Sequence, residues 1–238
     1  MTTPFIEALL AAERPLVMEV KRRDADGLDL IAGRTPADIV AAYEEMGAPC
    51  ISVVTGRWFG GTPELLRDVA RITRLPVLQK DFITRAGHLE QARDLGASAV
   101  LLTAGLLPAV SLGKLVTAAL RAGLTPFVEV TSEEELAAVP HPRDCLIAVN
   151  NKDIRRRERG QAEIDRSLDL LPALRATGTP CPVSASGIDG PAAAARLLDE
   201  GYAGLLVATA LLRAPRPHDW LAELDALRAP AARQTAGA

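Results

Sequence analysis

The run Pro76-Val77-Leu78-Gln79-Lys80-Asp81-Phe82-Ile83 is apolar at first and then ends in a lysine, an aspartate and a phenylalanine. A buried strand needs apolar residues. A lysine at its end either turns out to solvent or points into a pocket and moves protons. Other segments end the same way. Leu16–Lys21 closes with Glu19 and Lys21, two residues apart and so on one face of a strand. Thr125–Val130 carries Glu129, and Cys145–Asn150 runs on into Asn151, Lys152 and Asp153. Pro182–Ser184 leads to Ser186-Gly187, and Gly204–Ala208 leads to Thr209. Two carboxylates and two lysines that share one enclosed space keep one another ionised and shift one another's proton affinities. Acid–base chemistry is the functional reading; a salt-bridge layer capping a barrel is the alternative.

These residues need a scaffold that brings strand ends together. Helical segments separate the strands, among them Thr35-Pro36 to Met46, Thr62-Pro63 to Arg74, Thr84 to Leu95, Pro108 to Ala122, Ile164 to Ala176 and Pro191 to Glu200. Thr or Ser caps and Pro at the first position start several of them, and glycines at 47, 96 and 123 close others. Strand and helix alternate eight times without a linker, which predicts parallel strands joined by crossovers. Eight such units in 238 residues predict an α/β protein with a single-domain (β/α)8 TIM barrel at 16–228. A short lead-in helix occupies 1–15, and 229–238 reads as a disordered tail. A doubly wound sheet is disfavoured because no G-x-G-x-x-G follows the first strand. In the barrel, Glu19, Lys21, Lys80 and Glu129 share the mouth at the carboxyl ends of the strands. Ser186-Gly187 and Ala208-Thr209, with a short helix at Thr209–Arg213, fall where such barrels hold phosphate.

Composition limits the partners. The net charge is −3, with 48% hydrophobic and 24% charged residues, so no bulk attraction to nucleic acid or anionic membrane is expected. No secretory signal and no membrane-length apolar run is visible, and the expected location is cytoplasmic. Cys50, Cys145 and Cys181 each start an apolar run and read as buried structural thiols. His88, His141 and His218 lack ligand spacing, so no metal is expected.

With those motifs in hand, the chain resembles the indole-3-glycerol phosphate synthase family from about Phe5 to Leu224. The resemblance is carried by Glu19-Val20-Lys21-Arg22, Phe59-Gly60-Gly61, the Lys80-Asp81-Phe82-Ile83 block, Val128-Glu129-Val130, Asn150-Asn151-Lys152-Asp153 and Ser184-Ala185-Ser186-Gly187-Ile188, in that order. It implies a carbon–carbon lyase of tryptophan biosynthesis. The implied reaction is ring closure with decarboxylation and dehydration of an N-aryl amino-deoxyribulose 5-phosphate, without a cofactor. Lys80 would then be the general acid and Glu129 the acid or base of dehydration. Glu19 would hold the lysines in register, and Lys21 would meet phosphate or the aryl carboxylate. Phe82 would lie on the aryl ring, and Asn150 and Lys152 would hold substrate oxygens. Ser186, Gly187, Ala208 and Thr209 would cradle phosphate. The expected partner is a phosphorylated small molecule, with the chain a monomer or weak homodimer.

The chain also departs from the family pattern. Ala185 stands where a glutamate is usual, Lys152 replaces an arginine and loses its bidentate reach, and Ala208-Thr209 replaces Gly-Ser. Thr131 stands for a histidine, and Arg23-Asp24-Ala25-Asp26 replaces Ser-Pro-Ser. The N-terminal extension is nearly absent, and Arg155–Ala162 makes a longer, charged loop. These departures leave two alternatives open: a paralogue that takes a related amino-ketose phosphate or another aryl amine, and a non-catalytic barrel that binds a phosphorylated ligand.

Overall fold

The computed structural model describes residues 3–152 and 162–229, so the charged loop after the sixth strand and all but the first residue of the expected tail lie outside the described residues. The chain runs α1 (Pro4–Ala11), β1 (Leu16–Val20), α2 (Pro36–Glu45), β2 (Cys50–Val54), α3 (Pro63–Ile72), β3 (Val77–Lys80), α4 (Ala86–Asp94) and β4 (Ala99–Thr103). It continues through α5 (Ala109–Arg121), β5 (Thr125–Val130), α6 (Glu133–Ala137), β6 (Leu146–Asn150), α7 (Ile164–Ala176) and β7 (Cys181–Ala185). The last elements are α8 (Pro191–Asp199), β8 (Gly204–Val207), α9 (Thr209–Arg213) and α10 (Pro217–Arg228). The strands pair in sequence order, all parallel, and β1 pairs with β8 to close the barrel. The molecule is a single-domain (β/α)8 barrel.

Closure divides the apolar residues into two clusters. Residues such as Val53, Val100, Val128 and Ile147 pack outward under the helices, while Val17, Leu78, Phe127, Leu146 and Val183 point inward. The alternation follows from the two-residue strand period, and it sends Glu19, Lys80 and Glu129 inward as well. Helix α1 plugs the bottom. Its Phe5, Ile6 and Leu9 join the inward cluster, and Phe5 meets Phe127 edge to face at 6.5 Å between ring centroids. Leu9 comes so close to β8 that a Cβ on Gly204 would lie 2.7 Å from its Cδ2. The polar chemistry is therefore left to the opposite end.

Most element ends fall within a residue or two of the sequence reading, and the differences have local causes. Helix α4 starts at Ala86 rather than Thr84, because Arg85 is still extended and the preceding turn is built around Asp81. Strand β7 spans Cys181–Ala185 rather than Pro182–Ser184, since its ladder with β6 runs from Leu146↔Cys181 to Asn150↔Ala185. Three single 3-10 turns, at Arg57–Phe59, Ala104–Leu106 and Pro142–Asp144, were not anticipated, since one turn leaves no periodic trace. All three cysteines are free and buried.

Two outcomes test this packing. Phe5→Ala should lower the free energy of unfolding by about 3–5 kcal/mol, read from urea titration, because it empties the plug under β5. Burial pushes the Cys145 and Cys181 thiols up to about 12 and Cys50 higher still. At pH 8 all three therefore stay protonated, and a thiol-exchange dye should consume no thiol until denaturant is added.

Candidate active site

The mouth is organised by a buried carboxylate on β1. Glu19 is 1% exposed, and its Oε2 accepts a hydrogen bond from Ser52 Oγ at 3.0 Å on the neighbouring strand. Lys80 Nζ lies 3.7 Å from the same oxygen and is likewise buried. The ladders explain the approach: Glu19 pairs with Ser52, and Lys80 pairs with Val54 two residues on. Below them, the Tyr43 hydroxyl donates to the Glu19 carbonyl at 2.9 Å, and burial together with the charge of Glu19 pushes that phenol far above its ordinary range. Lys21, one residue past β1, is buried with its ammonium 4.0 Å from the centroid of the Phe59 ring, a cation–π contact.

The turn after β3 is held from outside the barrel. Asp81 Oδ1 accepts the Phe82 N–H at 2.8 Å, and Oδ2 accepts from the Thr55 hydroxyl at 2.7 Å. Thr55 accepts in turn from Gln79 Nε2 at 3.0 Å. This chain fixes the direction in which Phe82 leaves the strand. Across the mouth, Glu129 on β5 accepts from Asn150 Nδ2 at 3.2 Å. The Asn150 Oδ1 accepts the Lys152 N–H at 2.9 Å, and Arg166 from α7 braces the Asn150 carbonyl at 2.8 Å. Asn150, expected to hold substrate oxygens, has both ends of its amide in contact with other groups of the protein.

Two compartments open from this centre. One is a small, mainly apolar recess of about 20 Å³, walled by Val54, Phe59, Phe82 and Leu101 and lined also by Lys80, Asp81 and Glu129. The other is a polar cavity of about 220 Å³, lined by Lys21, Lys80, Lys152 and Arg213, by the carboxylates of Glu19, Asp24, Asp26 and Asp189, and by Ser186, Gly187, Ala208 and Thr209. Lys80 lines both compartments. Ser186 and Gly187, in the wall of the polar cavity, both have a positive φ of +69°, a conformation that is unusual for serine. Serine pays for that conformation with steric strain, and a buried network holds it. Asn151 Nδ2 donates toward Ser184 Oγ, the Ala185 carbonyl and the Ser186 carbonyl at 3.0–3.2 Å. Ser167 Oγ donates to Asn151 Oδ1 at 2.7 Å, and the Tyr202 hydroxyl donates to the Ser167 carbonyl at 2.6 Å.

The structure thus gathers every predicted catalytic and phosphate-side residue at one mouth. It also shows partners that the sequence reading passed over. Asn151, Ser167 and Tyr202 set the Ser186-Gly187 turn, and Ser52 and Tyr43 set Glu19. The Asn-Asn doublet was the available signal: adjacent strand residues face opposite ways, so one of the pair had to serve the scaffold. Asp24, an unhelpful charge beside an anion site on the sequence alone, is occupied. Its Oδ1 accepts the Asp26 and Leu28 N–H groups at 3.0 and 2.9 Å, and its Oδ2 lies 3.8 Å from Arg213. Ala185 is buried in the inward apolar cluster with Leu206, and the carboxylate on this side of the polar cavity is Asp189. Among the described residues no group of three His, Cys, Asp or Glu is placed to hold a metal ion, and no helix is long and apolar enough to cross a membrane.

Comparison with known proteins gives the same picture. The family model for indole-3-glycerol phosphate synthase matches residues 1–224. The indole-3-glycerol phosphate synthase of Thermococcus kodakarensis is 38% identical over 215 residues, which is 90% of this chain and 93% of that protein. The enzyme of the same name from Pyrococcus furiosus is 36% identical over 212 residues, 89% of this chain and 91% of the relative. Among solved structures, one of the tryptophan synthase α2β2 complex of Pyrococcus furiosus contains a chain that superposes with a TM-score of 0.63. It shares 15% identity over 89% of this chain and 96% of that one, a likeness of fold.

The Ser186-Gly187 turn makes a specific prediction. Asn151→Ala removes the side-chain amide that donates to Ser184 Oγ and to the Ala185 and Ser186 carbonyls, and should cost about 1–3 kcal/mol in urea unfolding. It should also raise KM for a phosphorylated substrate more than it lowers kcat.

Proposed function

This chain belongs to the indole-3-glycerol phosphate synthase family, and from that premise we propose how its barrel mouth closes an indole ring. The activity is that of a decarboxylating lyase of tryptophan biosynthesis acting on a phosphorylated small molecule. The observation that carries the residue assignment is the position of Lys80 between the polar cavity and the apolar recess. A substrate with a phosphate at one end and an aryl ring at the other sets its ketose carbonyl, which lies between them, beside that lysine.

In the first step the ring carbon that bears the carboxylate attacks the ketose carbonyl carbon. The carbonyl electron pair moves to oxygen, which takes a proton from the Lys80 ammonium. Glu19, 3.7 Å away and buried, keeps that lysine charged before transfer. Loss of CO2 returns an electron pair to the ring and restores aromaticity. The new hydroxyl then leaves as water while a proton leaves the neighbouring carbon. Glu129, which accepts from Asn150, handles a proton of this dehydration. Phe82 and Phe59 flank the aryl ring, and Lys21, Lys152, Ser186, Gly187, Ala208 and Thr209 meet the phosphate. The assigned residues all come from one chain, which supports a monomer or weak homodimer; the location in this reading is the cytoplasm, and the net charge of −3 gives no bulk attraction to nucleic acid or anionic membrane.

A second reading keeps the chemistry and changes the aryl amine or ketose. It rests on Ala185, whose methyl group makes one side of the mouth apolar. Steady-state kinetics on the anthranilate-derived substrate separate the two. The proposal expects turnover by the native protein and a loss of about 10²–10⁴ or more in kcat for Lys80→Ala, the usual worth of a positioned acid. Glu129→Gln should lower kcat with little change in KM. Better turnover of another amino-ketose phosphate, with no gain from Ala185→Glu on the anthranilate-derived one, would favour the second reading.

A further inference from the structure

Thr103 is the last residue of β4 and is 7% exposed. On the same strand Ala99 and Leu101 belong to the inward cluster, and Val100 and Leu102 to the outward one. The two-residue period therefore turns Thr103 inward, at the level of the mouth. Its Oγ1 is buried and has no hydrogen-bond partner among the described residues. Such a hydroxyl has left water without gaining a protein partner, which is unfavourable and uncommon in a folded chain. Other hydroxyls at this level are engaged. Ser52 donates to Glu19, and Thr55 donates to Asp81 and accepts from Gln79. Gln79 Oε1 and Trp220 Nε1 are also buried without a partner. Gln79, however, follows the inward Leu78 and so faces outward, and Trp220 lies on helix α10.

We propose that Thr103 is a positioning residue for Glu129, its hydroxyl donating to that carboxylate when the group is charged. This deepens the proposed reading and rests on it. The strands supply the juxtaposition. Thr103 pairs with Glu129 in the ladder between β4 and β5. Glu129 also faces inward, two residues after the inward Phe127, so both side chains leave the sheet on one side, from backbones about 4.8 Å apart. Rotation about Cα–Cβ takes a threonine hydroxyl from one staggered position to another, and one of them turns it toward the adjacent strand. On the far side, Asn150 of β6 donates to Glu129 Oε2. Glu129 thus stands between an amide on one neighbouring strand and a hydroxyl on the other. Each donor to a carboxylate favours its charged form and fixes the direction in which it meets a proton. The charged groups that line the recess with Glu129 are Lys80 and Asp81. Lys80 lies 3.7 Å from Glu19, and Asp81 accepts from Thr55 and from the Phe82 N–H. On α6, the Glu135 carboxylate accepts the Thr131 N–H and hydroxyl.

The test has two arms. Thr103→Val keeps the shape and the β-branch of the side chain and removes the hydroxyl, whereas Thr103→Ser keeps the hydroxyl. On the anthranilate-derived amino-deoxyribulose phosphate, Thr103→Val should lower kcat about five- to tenfold with KM within about twofold, as expected for one lost bond to a charged group. Thr103→Ser should return kcat to within about twofold of the native value. A native kcat in Thr103→Val, or a Thr103→Ser no more active than Thr103→Val, would overturn the proposal. Thr103→Ala gives the same readouts should Thr103→Val not fold. In the second arm, protein carrying carboxyl-labelled glutamate is titrated with acid and followed by NMR, the Glu129 signal being the one missing from Glu129→Gln. Loss of a donor to the charged form raises a carboxyl pKa, so the Glu129 midpoint should rise by about half a unit or more in Thr103→Val and fall back in Thr103→Ser. An unchanged midpoint overturns the proposal. This arm needs no turnover. If the native protein fails on the anthranilate-derived substrate, the functional reading falls, and the titration still decides whether Thr103 serves Glu129.

Discussion

The site depends on a lysine and a glutamate held close inside a barrel. Glu19 and Lys80 are both buried, 3.7 Å apart, on strands separated by β2. Taking two charges out of water is costly, and the cost is offset only where geometry and further hydrogen bonds are good. Ser52 from the intervening strand supplies one such bond, and the rigid ladder supplies the geometry. A buried pair of this kind is weak evidence for stability; under the proposed mechanism it sets Lys80 beside a carboxylate in an enclosed space.

The two ends of the barrel are specialised accordingly. At the bottom, α1 seals the interior with Phe5, Ile6 and Leu9, so the barrel needs no polar residues there. At the top, five strands turn polar at their inward positions, giving Glu19, Ser52, Lys80, Glu129 and Asn150, while β7 and β8 stay apolar with Ala185 and Leu206. Outward-facing residues at the same level do a second job. Gln79, Thr55 and Asp81 aim Phe82, while Asn151, Ser167 and Ser184 lock the left-handed Ser186-Gly187 turn. Inward-facing mouth residues and the outward-facing residues that hold the turns thus alternate along the same strands, a direct result of strand geometry. The departures at Ala185, the last residue of β7, and at Lys152, two residues past β6, lie at or beside the polar cavity. They change polarity and reach there without disturbing the Glu19–Lys80 centre.

What the sequence determined by itself follows from local rules. The alternation of apolar runs with capped helices specifies eight βα units, because helix and strand periods differ and are read within a dozen residues. Strand ends can then be located, and Glu19, Lys21, Lys80, Glu129, Ser186 and Thr209 fall at one mouth by topology alone. The family motifs add roles to those positions. What only the tertiary structure decided are relations between residues far apart in the chain. The sequence could not show that Asn150 turns its amide to Glu129, that Lys21 rests on Phe59, or that Arg213 draws off the charge of Asp24. Nor could it show Trp58 standing exposed against Phe82. Such contacts depend on side-chain direction and on the spacing of strands and loops once the barrel has closed, to within a fraction of an ångström, and no local periodicity encodes them.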